Sequence, residues 1–165
     1  MQMEQDKIVH QFKTMDNLRE IIKDYEKALA RPTRELSHPT LYRKRDVSPG
    51  DRLIYGVRIK DWLFSADEKW VLPHNQMGLS FSANWQHLKG VYKMKEKHNP
   101  KSPIHVYWVL ESCDLPKKLK FESDLDKAGH YLLTVTEQMT IYELIGKLKW
   151  IADRMSVMKD ARKAL

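Results

Sequence analysis

The sequence predicts an α+β domain built on an antiparallel or mixed β-sheet. Helical periodicity is concentrated near the two ends of the chain, and short strand patterns fill the middle. Between those strands there is too little helix for βαβ units, which argues against a parallel, doubly wound sheet. A length of 165 residues is enough for one hydrophobic core without disulfides or a structural metal.

The C-terminal helix has the clearest signals. Thr140 and Glu143 have the spacing of a capping box, and Met139 and Leu144 have that of a hydrophobic staple. Its apolar stripe, with steps of three and four residues, consists of Ile141, Leu144, Ile145, Leu148, Ile151 and Met155.

The N-terminal segment also has helical periodicity. Apolar residues recur at steps of three and four from Ile8 to Leu29, and Pro32 disfavours helix in the residue before it. A second proline, Pro39, predicts an extended linker after the helix. We therefore expect residues 1–36 to form an N-terminal helical arm and residues 37–165 to form the main domain.

Strand patterns occupy the middle of the chain. Ile104–Leu110 has no polar face, which predicts a central strand covered on both sides. Asp61–Trp70 is predicted as a loop or a single helical turn, and Lys93–Pro103 as a basic loop. The other predicted strands are Thr40–Arg45, Arg52–Ile59, the run from Met77 to Trp85, Leu119–Glu122 and His130–Thr136.

The run from Met77 to Trp85 is the most informative of these. Side chains alternate faces along a strand, so Ser80 and Ser82 are expected on one face, with Leu79 and Phe81 in the core on the other. Gly78 allows a ligand or another backbone to come close. The run therefore predicts either the floor of a ligand pocket or an amphipathic strand whose serines face water.

Charge and composition limit the functional classes. The net charge of +7 favours a polyanionic partner, with Lys93, Lys95, Lys97 and Lys101 as the densest positive segment. A single cysteine, Cys113, excludes an internal disulfide and a thiolate zinc site. No membrane-length apolar run and no signal-peptide pattern are present, so we expect a soluble protein acting in the cytoplasm.

Common catalytic motifs are missing from the sequence. There is no P-loop, no Rossmann glycine fingerprint, no zincin motif and no nucleophile elbow. His98, His105 and His130 are scattered along the chain, and we expect no metal cofactor.

Three segments, in order, resemble the bacterial mono-ADP-ribosyltransferase toxins, and most closely the small toxins of type VI secretion effector and toxin–antitoxin type. They are Leu41-Tyr42-Arg43, Gly78-Leu79-Ser80-Phe81-Ser82, and His130-Tyr131 followed by Met139 and a helix. The resemblance covers roughly residues 40 to 155. It implies a split mixed or antiparallel sheet, with NAD as the substrate.

The resemblance also implies roles for individual residues. Arg43 matches the arginine that holds a phosphate or the nicotinamide ribose, which suits a guanidinium fork. Ser80 and Ser82 match the strand that shapes the nicotinamide pocket, beside Gly78. An aromatic side chain stacks on the nicotinamide in that family, and Tyr42, Tyr55 and Trp85 are the candidates. Tyr131 is a further candidate cofactor-binding residue.

A catalytic carboxylate is expected as well, because cleavage of the nicotinamide bond passes through an oxocarbenium-like state. Within residues 40 to 155, which the resemblance covers, the chain lacks the Glu-x-Glu or Gln-x-Glu motif of the family. Glu111, Glu122 and Glu137 each lie near a predicted strand end, and the pattern does not choose among them. The candidate catalytic residues are Arg43, Ser80 and Glu122.

The resemblance predicts an NAD-dependent toxin that modifies a nucleic acid or protein and is neutralised by an antitoxin or immunity protein. The alternative is a non-catalytic domain that binds nucleic acid through its lysines and stacks bases on Trp85, Tyr107 or Trp108. A metal-independent RNase that uses the scattered histidines is a third interpretation.

Overall fold

The computed structural model describes residues 9–12, 28–34, 36, 39, 41–42, 53–54, 56–110 and 113–160. Within these residues the protein is an α+β structure with mostly antiparallel sheets and two helices, as the sequence predicts at this level. The helices are α1 (Trp85–His98) and α2 (Ile141–Ala152). The strands are β1 (Val9–Phe12), β2 (Ala28–Thr33), β3 (Leu53–Ile54), β4 (Val57–Arg58), β5 (Leu63–Phe64), β6 (Trp70–Leu72), β7 (His74–Ser82), β8 (His105–Leu110), β9 (Leu119–Ser123), β10 (His130–Val135), β11 (Met139–Thr140) and β12 (Ser156–Asp160).

The chain forms two compact units. The first contains residues 1–39, 82–113 and 153–165, and the second contains residues 40–81 and 114–152. The chain first passes between them after Pro39, close to the boundary predicted at residue 36. The N-terminal residues nevertheless share a unit with two later segments rather than forming a unit of their own.

The first unit is organised around β8. This strand pairs antiparallel with β12 on one side and with β2 on the other, and β1 pairs parallel with β12. Helix α1 packs against β2 through Leu88 and Tyr92. Val106 and Tyr107 are both buried although they point to opposite faces, so the prediction of a strand covered on both sides is confirmed.

The predicted N-terminal helix is wrong at both of its ends. Val9–Phe12 and Ala28–Thr33 are strands, and residues 13–27 lie outside the described residues. Ala28, Leu29 and Ala30 favour helix intrinsically, but six residue pairs with β8 and burial of all three side chains outweigh that preference. Tertiary pairing decides the structure here.

Helix α1 replaces much of the predicted basic loop. Asn84 caps the helix, because its Oδ1 accepts a hydrogen bond from the amide of His87 at 2.9 Å. Leu88 and Tyr92 bury one narrow stripe at a spacing of four. Only two buried positions mark this helix, which explains why its periodicity is weak in the sequence.

Arg34, which follows β2, forms hydrogen bonds to the C-terminal end of α1 and to the segment before β8. Its guanidinium donates to the carbonyl of Lys95 in the last turn of α1 and to the carbonyl of Ser102 at 2.8 Å. Such donors satisfy carbonyls that have no partner within a helix. We expect Arg34→Ala to lower the free energy of unfolding by about 2–3 kcal/mol, since both bonds come from a charged group.

Chemical denaturation of Arg34→Ala against the wild type measures this effect. Lys101→Ala is a suitable control, because it removes a nearby exposed charge. Equal unfolding midpoints for Arg34→Ala and the control would contradict the assigned role.

The second unit contains three small groups of strands. Strands β7, β10 and β9 are neighbours in that order, and β10 pairs antiparallel with β9. Strands β11, β6 and β5 form a second, antiparallel group. Strands β3 and β4 form a hairpin, in which Gly56 has φ 90°, a conformation that favours glycine.

Two predictions in this unit are corrected. Arg52–Ile59 is not one strand but the β3–β4 hairpin, because the chain reverses near Gly56. Asp61–Trp70 is not only loop, since β5 and the first residue of β6 lie within it. The side chains of Ser65 and Asp67 accept main-chain hydrogen bonds that close this second hairpin.

Helix α2 confirms the predicted C-terminal helix and its cap, but Met155, predicted in its stripe, lies after the last helical residue. The hydroxyl of Thr140 accepts a hydrogen bond from the amide of Glu143 at 3.1 Å, as an N-cap does. The carboxylate of Glu143 pairs with Lys118 at 3.2 Å and with Lys147 at 3.4 Å. The buried residues of the helix are Ile141, Leu144, Leu148, Ile151 and Ala152.

Candidate functional site

A cleft that is open to solvent lies in the second unit, where β7 begins and β10 ends. Its volume is about 460 Å³, within the range typical of small-molecule sites. Glu122 is its carboxylate, and Thr134 and Thr136 are its hydroxyl-bearing residues. The other lining residues are Pro73, His74, Asn75 and Val135.

The pairing of β9 with β10 fixes the direction of Glu122. Phe121 points to the opposite face, where its ring meets the edge of Phe81 with centroids 5.2 Å apart at 81°. Glu122 lies opposite Leu132 in the register and forms an ion pair with Lys120 at 2.9 Å. The aromatic contact on the core side therefore holds the strand that presents the carboxylate.

Thr134 contributes a positioned oxygen. Its side chain is buried, and its hydroxyl donates to the carbonyl of Lys120 at 3.0 Å. With the proton engaged in that bond, the lone pairs of the oxygen remain as acceptors. The walls of the cleft thus offer a carboxylate, a hydroxyl oxygen and the polar side chains of His74 and Asn75.

Polar contacts hold the turn between β9 and β10. The side chain of Gln76 donates to the carbonyl of Ser123 and accepts from the amide of Leu125. His130 Nδ1 lies 2.6 Å from Asp124 Oδ2. Donation from the amide of Asp126 and from the His130 imidazole keeps the pKa of the Asp124 carboxyl below its ordinary value.

This contact predicts a pH-dependent stability. Because the pKa of Asp124 is lower in the folded state, its contribution is complete above the unfolded value of about 3.9 and is lost as pH falls through the folded value. We expect Asp124→Asn to be less stable than the wild type at pH 7, and the difference to shrink below about pH 4. Denaturation at both pH values measures it, and a constant difference would contradict the assignment.

The two serines predicted to share a surface have different environments. Ser80 is exposed, whereas Ser82 is only 4% exposed. The Ser82 hydroxyl lies 2.6 Å from His87 Nδ1, just before α1. The prediction that both hydroxyls line an open surface is therefore wrong for Ser82, because this hydroxyl is enclosed against the helix. Leu79 and Phe81 are buried as predicted.

Gly78 lies against another main chain. A Cβ atom at this position would come within 2.0 Å of the carbonyl oxygen of Leu133. The sequence predicts that either a ligand or another backbone comes close to Gly78. The structure shows the neighbouring backbone, which explains the glycine without a ligand.

Neither Tyr131 nor Tyr42 lines the cleft. Tyr131 pairs with Ser123, one position from the Glu122–Leu132 pair, so Tyr131 and Glu122 lie on opposite faces of the two strands. Tyr42 lies in a bend, and the Lys149 ammonium is 5.8 Å from the centroid of its ring. Arg43 and Glu111 lie outside the described residues, as does Tyr55.

Of the predicted set, Glu122 alone lines the cleft. The sequence analysis missed its hydroxyl-bearing partners. Thr134 and Thr136 are separated by one residue, as Ser80 and Ser82 are, and this alternation was the available signal. His74 and Asn75 follow Pro73 at the start of β7, and no ligand contact was predicted for them.

Three further observations concern base stacking, metal binding and membrane spanning. Tyr107 and Trp108 are 1% and 3% exposed, so neither ring is available to stack on a base. Among the described residues, no three His, Cys, Asp or Glu side chains converge as metal ligands. None of the helices in the described part of the chain is long and apolar enough to cross a membrane.

Comparisons of the chain with protein families, with curated proteins and with solved structures found no match.

Proposed function

We propose that the protein is an NAD-dependent mono-ADP-ribosyltransferase toxin that modifies an intracellular nucleic acid or protein and is neutralised by a cognate antitoxin or immunity protein. The observation that carries the proposal is Glu122, whose carboxylate lines a cleft beside Thr134 and Thr136. The cleft is large enough for the nicotinamide riboside half of NAD.

The chemistry of NAD cleavage explains why a carboxylate is needed there. When the bond between the ribose C1′ and the nicotinamide nitrogen breaks, its electron pair neutralises the pyridinium ring and positive charge develops at C1′. A fixed carboxylate stabilises that charge, and it orients the ribose by accepting a hydrogen bond from a hydroxyl. The acceptor then attacks C1′ and releases a proton.

The phosphates of NAD need cationic partners. Lys120 is the cation nearest to Glu122, and its side chain is 64% exposed, so it is free to swing toward a phosphate in exchange for its ion pair. Arg43 supplies the second cation in the proposal, on the strength of the family resemblance. Ser80 is exposed on β7 but does not line the cleft, and its role in the nicotinamide pocket is proposed on the strength of the family resemblance.

Nicotinamide release from NAD tests the proposal. The purified protein is incubated with NAD and cell lysate as a source of acceptor, and the wild type is compared with Arg43→Ala and Ser80→Ala. Ser123→Ala is the matched control, because this serine is also exposed on the same group of strands but has no counterpart in the family resemblance. We expect release by the wild type and the control, and strongly reduced release by the two variants.

Two results would contradict the proposal. The first is no release and no binding of NAD by the wild type. The second is release, or toxicity on expression, that survives in both variants while circular dichroism shows them folded.

A further inference from the structure

We propose that the exposed face of α1 is a docking surface for the phosphate backbone of a nucleic acid. Two independent observations carry the inference: a row of three lysines in a segment with a single acid, and an exposed glycine beside that row. The surface belongs to the first unit. The inference does not depend on the proposed transferase activity.

The lysine row follows from the helix geometry. Lys89, Lys93 and Lys97 are each four residues apart, so they lie along one side of α1 at intervals of about 6 Å. Between Ser82 and Leu110 the sequence has five lysines and one acid, Glu96. Glu96 is half-buried, and it follows the buried Tyr92 by four residues and Lys93 by three, so it borders the lysine row on the packed side of the helix.

The favourable interaction of cations with the C-terminal end of a helix does not explain all three lysines of the row. Cations in the last turn of a helix interact favourably with its dipole, and Lys95, Lys97 and His98 are placed to do so. Lys89 and Lys93 lie before that turn. Like charges four residues apart repel each other by a few tenths of a kcal/mol, so this row lowers the stability of the isolated helix until an anion neutralises it.

Gly90 is the second observation. It is exposed in the middle of α1, and a Cβ built there would have no atom within 4 Å. Packing therefore does not require glycine at this position. Glycine in an exposed helix lowers its stability by about 0.5–1 kcal/mol relative to alanine. Its neighbours one turn away on the exposed face are Gln86, Lys93 and Met94. The missing side chain leaves space between cations for a sugar–phosphate chain to approach the helix.

A phosphate backbone fits this row better than an acidic protein surface does. Regularly spaced lysines attract a chain of regularly spaced phosphates. The face has no arginine, the side chain that forms two parallel hydrogen bonds to one carboxylate. Gln86 adds a donor and an acceptor for sugar hydroxyls.

Fluorescence anisotropy with a labelled single-stranded RNA and a labelled duplex DNA, at several salt concentrations and without NAD, tests the inference. The double variant Lys93→Gln, Lys97→Gln should bind roughly tenfold or more weakly at 50 mM salt. The slope of log affinity against log salt should be shallower by about 1.4 for the RNA and about 1.8 for the DNA. The control, Lys117→Gln with Lys127→Gln, removes the same charge from exposed positions in the second unit and should change both quantities less.

Gly90 has a matched control in Gly146, a glycine on the exposed face of α2 that also has no atom near a built Cβ. Gly90→Gln should weaken binding several-fold without loss of thermal stability, whereas Gly146→Gln should leave binding unchanged. Three results would overturn the inference: equal affinity of the double lysine variant and the wild type, equal losses in the two lysine pairs, or a polyglutamate chain that binds as tightly as the RNA with the same dependence on Lys93 and Lys97.

Discussion

Replacing Glu122 with glutamine is expected to slow nicotinamide release by about 10²–10³-fold, as removal of one electrostatic contact to a transition state does. Glutamine has nearly the same shape and keeps one acceptor, but it does not carry the negative charge that opposes the charge at C1′. The binding of NAD should change much less, because the positive charge develops fully only as the bond breaks.

The fold of the Glu122→Gln variant should survive. Its lost ion pair with Lys120 is largely exposed and is worth about 0–1 kcal/mol. Glu137→Gln is the matched control, since Glu137 is exposed beyond the end of β10 and does not line the cleft. Full activity in Glu122→Gln, or an equal loss in Glu137→Gln, would remove Glu122 from the proposed mechanism.

Gly78→Ala is expected to cause a large loss of stability. The new Cβ would come within 2.0 Å of the Leu133 carbonyl oxygen and within 2.7 Å of its carbon, which are main-chain atoms that cannot swing away as a side chain does. Strands β7 and β10 would have to separate, at a cost of about 3 kcal/mol.

Gly146→Ala is the control for this variant. The space around it is open, so it should gain about 0.5–1 kcal/mol of stability through helix propensity. Urea denaturation of both variants measures the difference. A Gly78→Ala protein as stable as the wild type would show that β7 and β10 are not held so closely.

The parts of the fold that the sequence predicts well are those in which several local signals agree. Helix α2 has a cap, a stripe of suitable width and strong helix formers, and β8 has β-branched and aromatic residues without interruption. Strands β9 and β10 follow from short apolar alternation around a turn. In each case, local preference and tertiary contacts favour the same structure.

The failures occur where tertiary contacts oppose or replace local signals. Ala28–Thr33 begins with helix-forming residues but is a strand, because β8 offers a complete partner. Helix α1 has only two buried residues, Leu88 and Tyr92, and contains a glycine. Its helical periodicity is therefore too weak to recognise in a lysine-rich segment. Strand β12 has no turn signal of its own and was not predicted.

The candidate site was predictable only in part for the same reason. Glu122 was recognisable as a carboxylate at the end of a strand, but nothing local separated it from Glu111 and Glu137. The cleft with Thr134 and Thr136 depends on how β7, β9 and β10 lie side by side, which no local pattern records. Ser82 is two residues from Ser80, as the strand pattern requires for a shared face. The N-cap of α1, however, places the His87 ring within hydrogen-bond distance of the Ser82 hydroxyl.

An amide NMR titration of the protein with NAD tests the central claim most directly, because it locates the bound substrate without requiring an acceptor. We predict saturable shifts with a midpoint below about 1 mM, centred on His74, Asn75, Glu122, Thr134 and Thr136, and absent with inorganic phosphate at equal ionic strength. No saturable shifts, or shifts confined to α1, would contradict the assignment of this cleft to NAD.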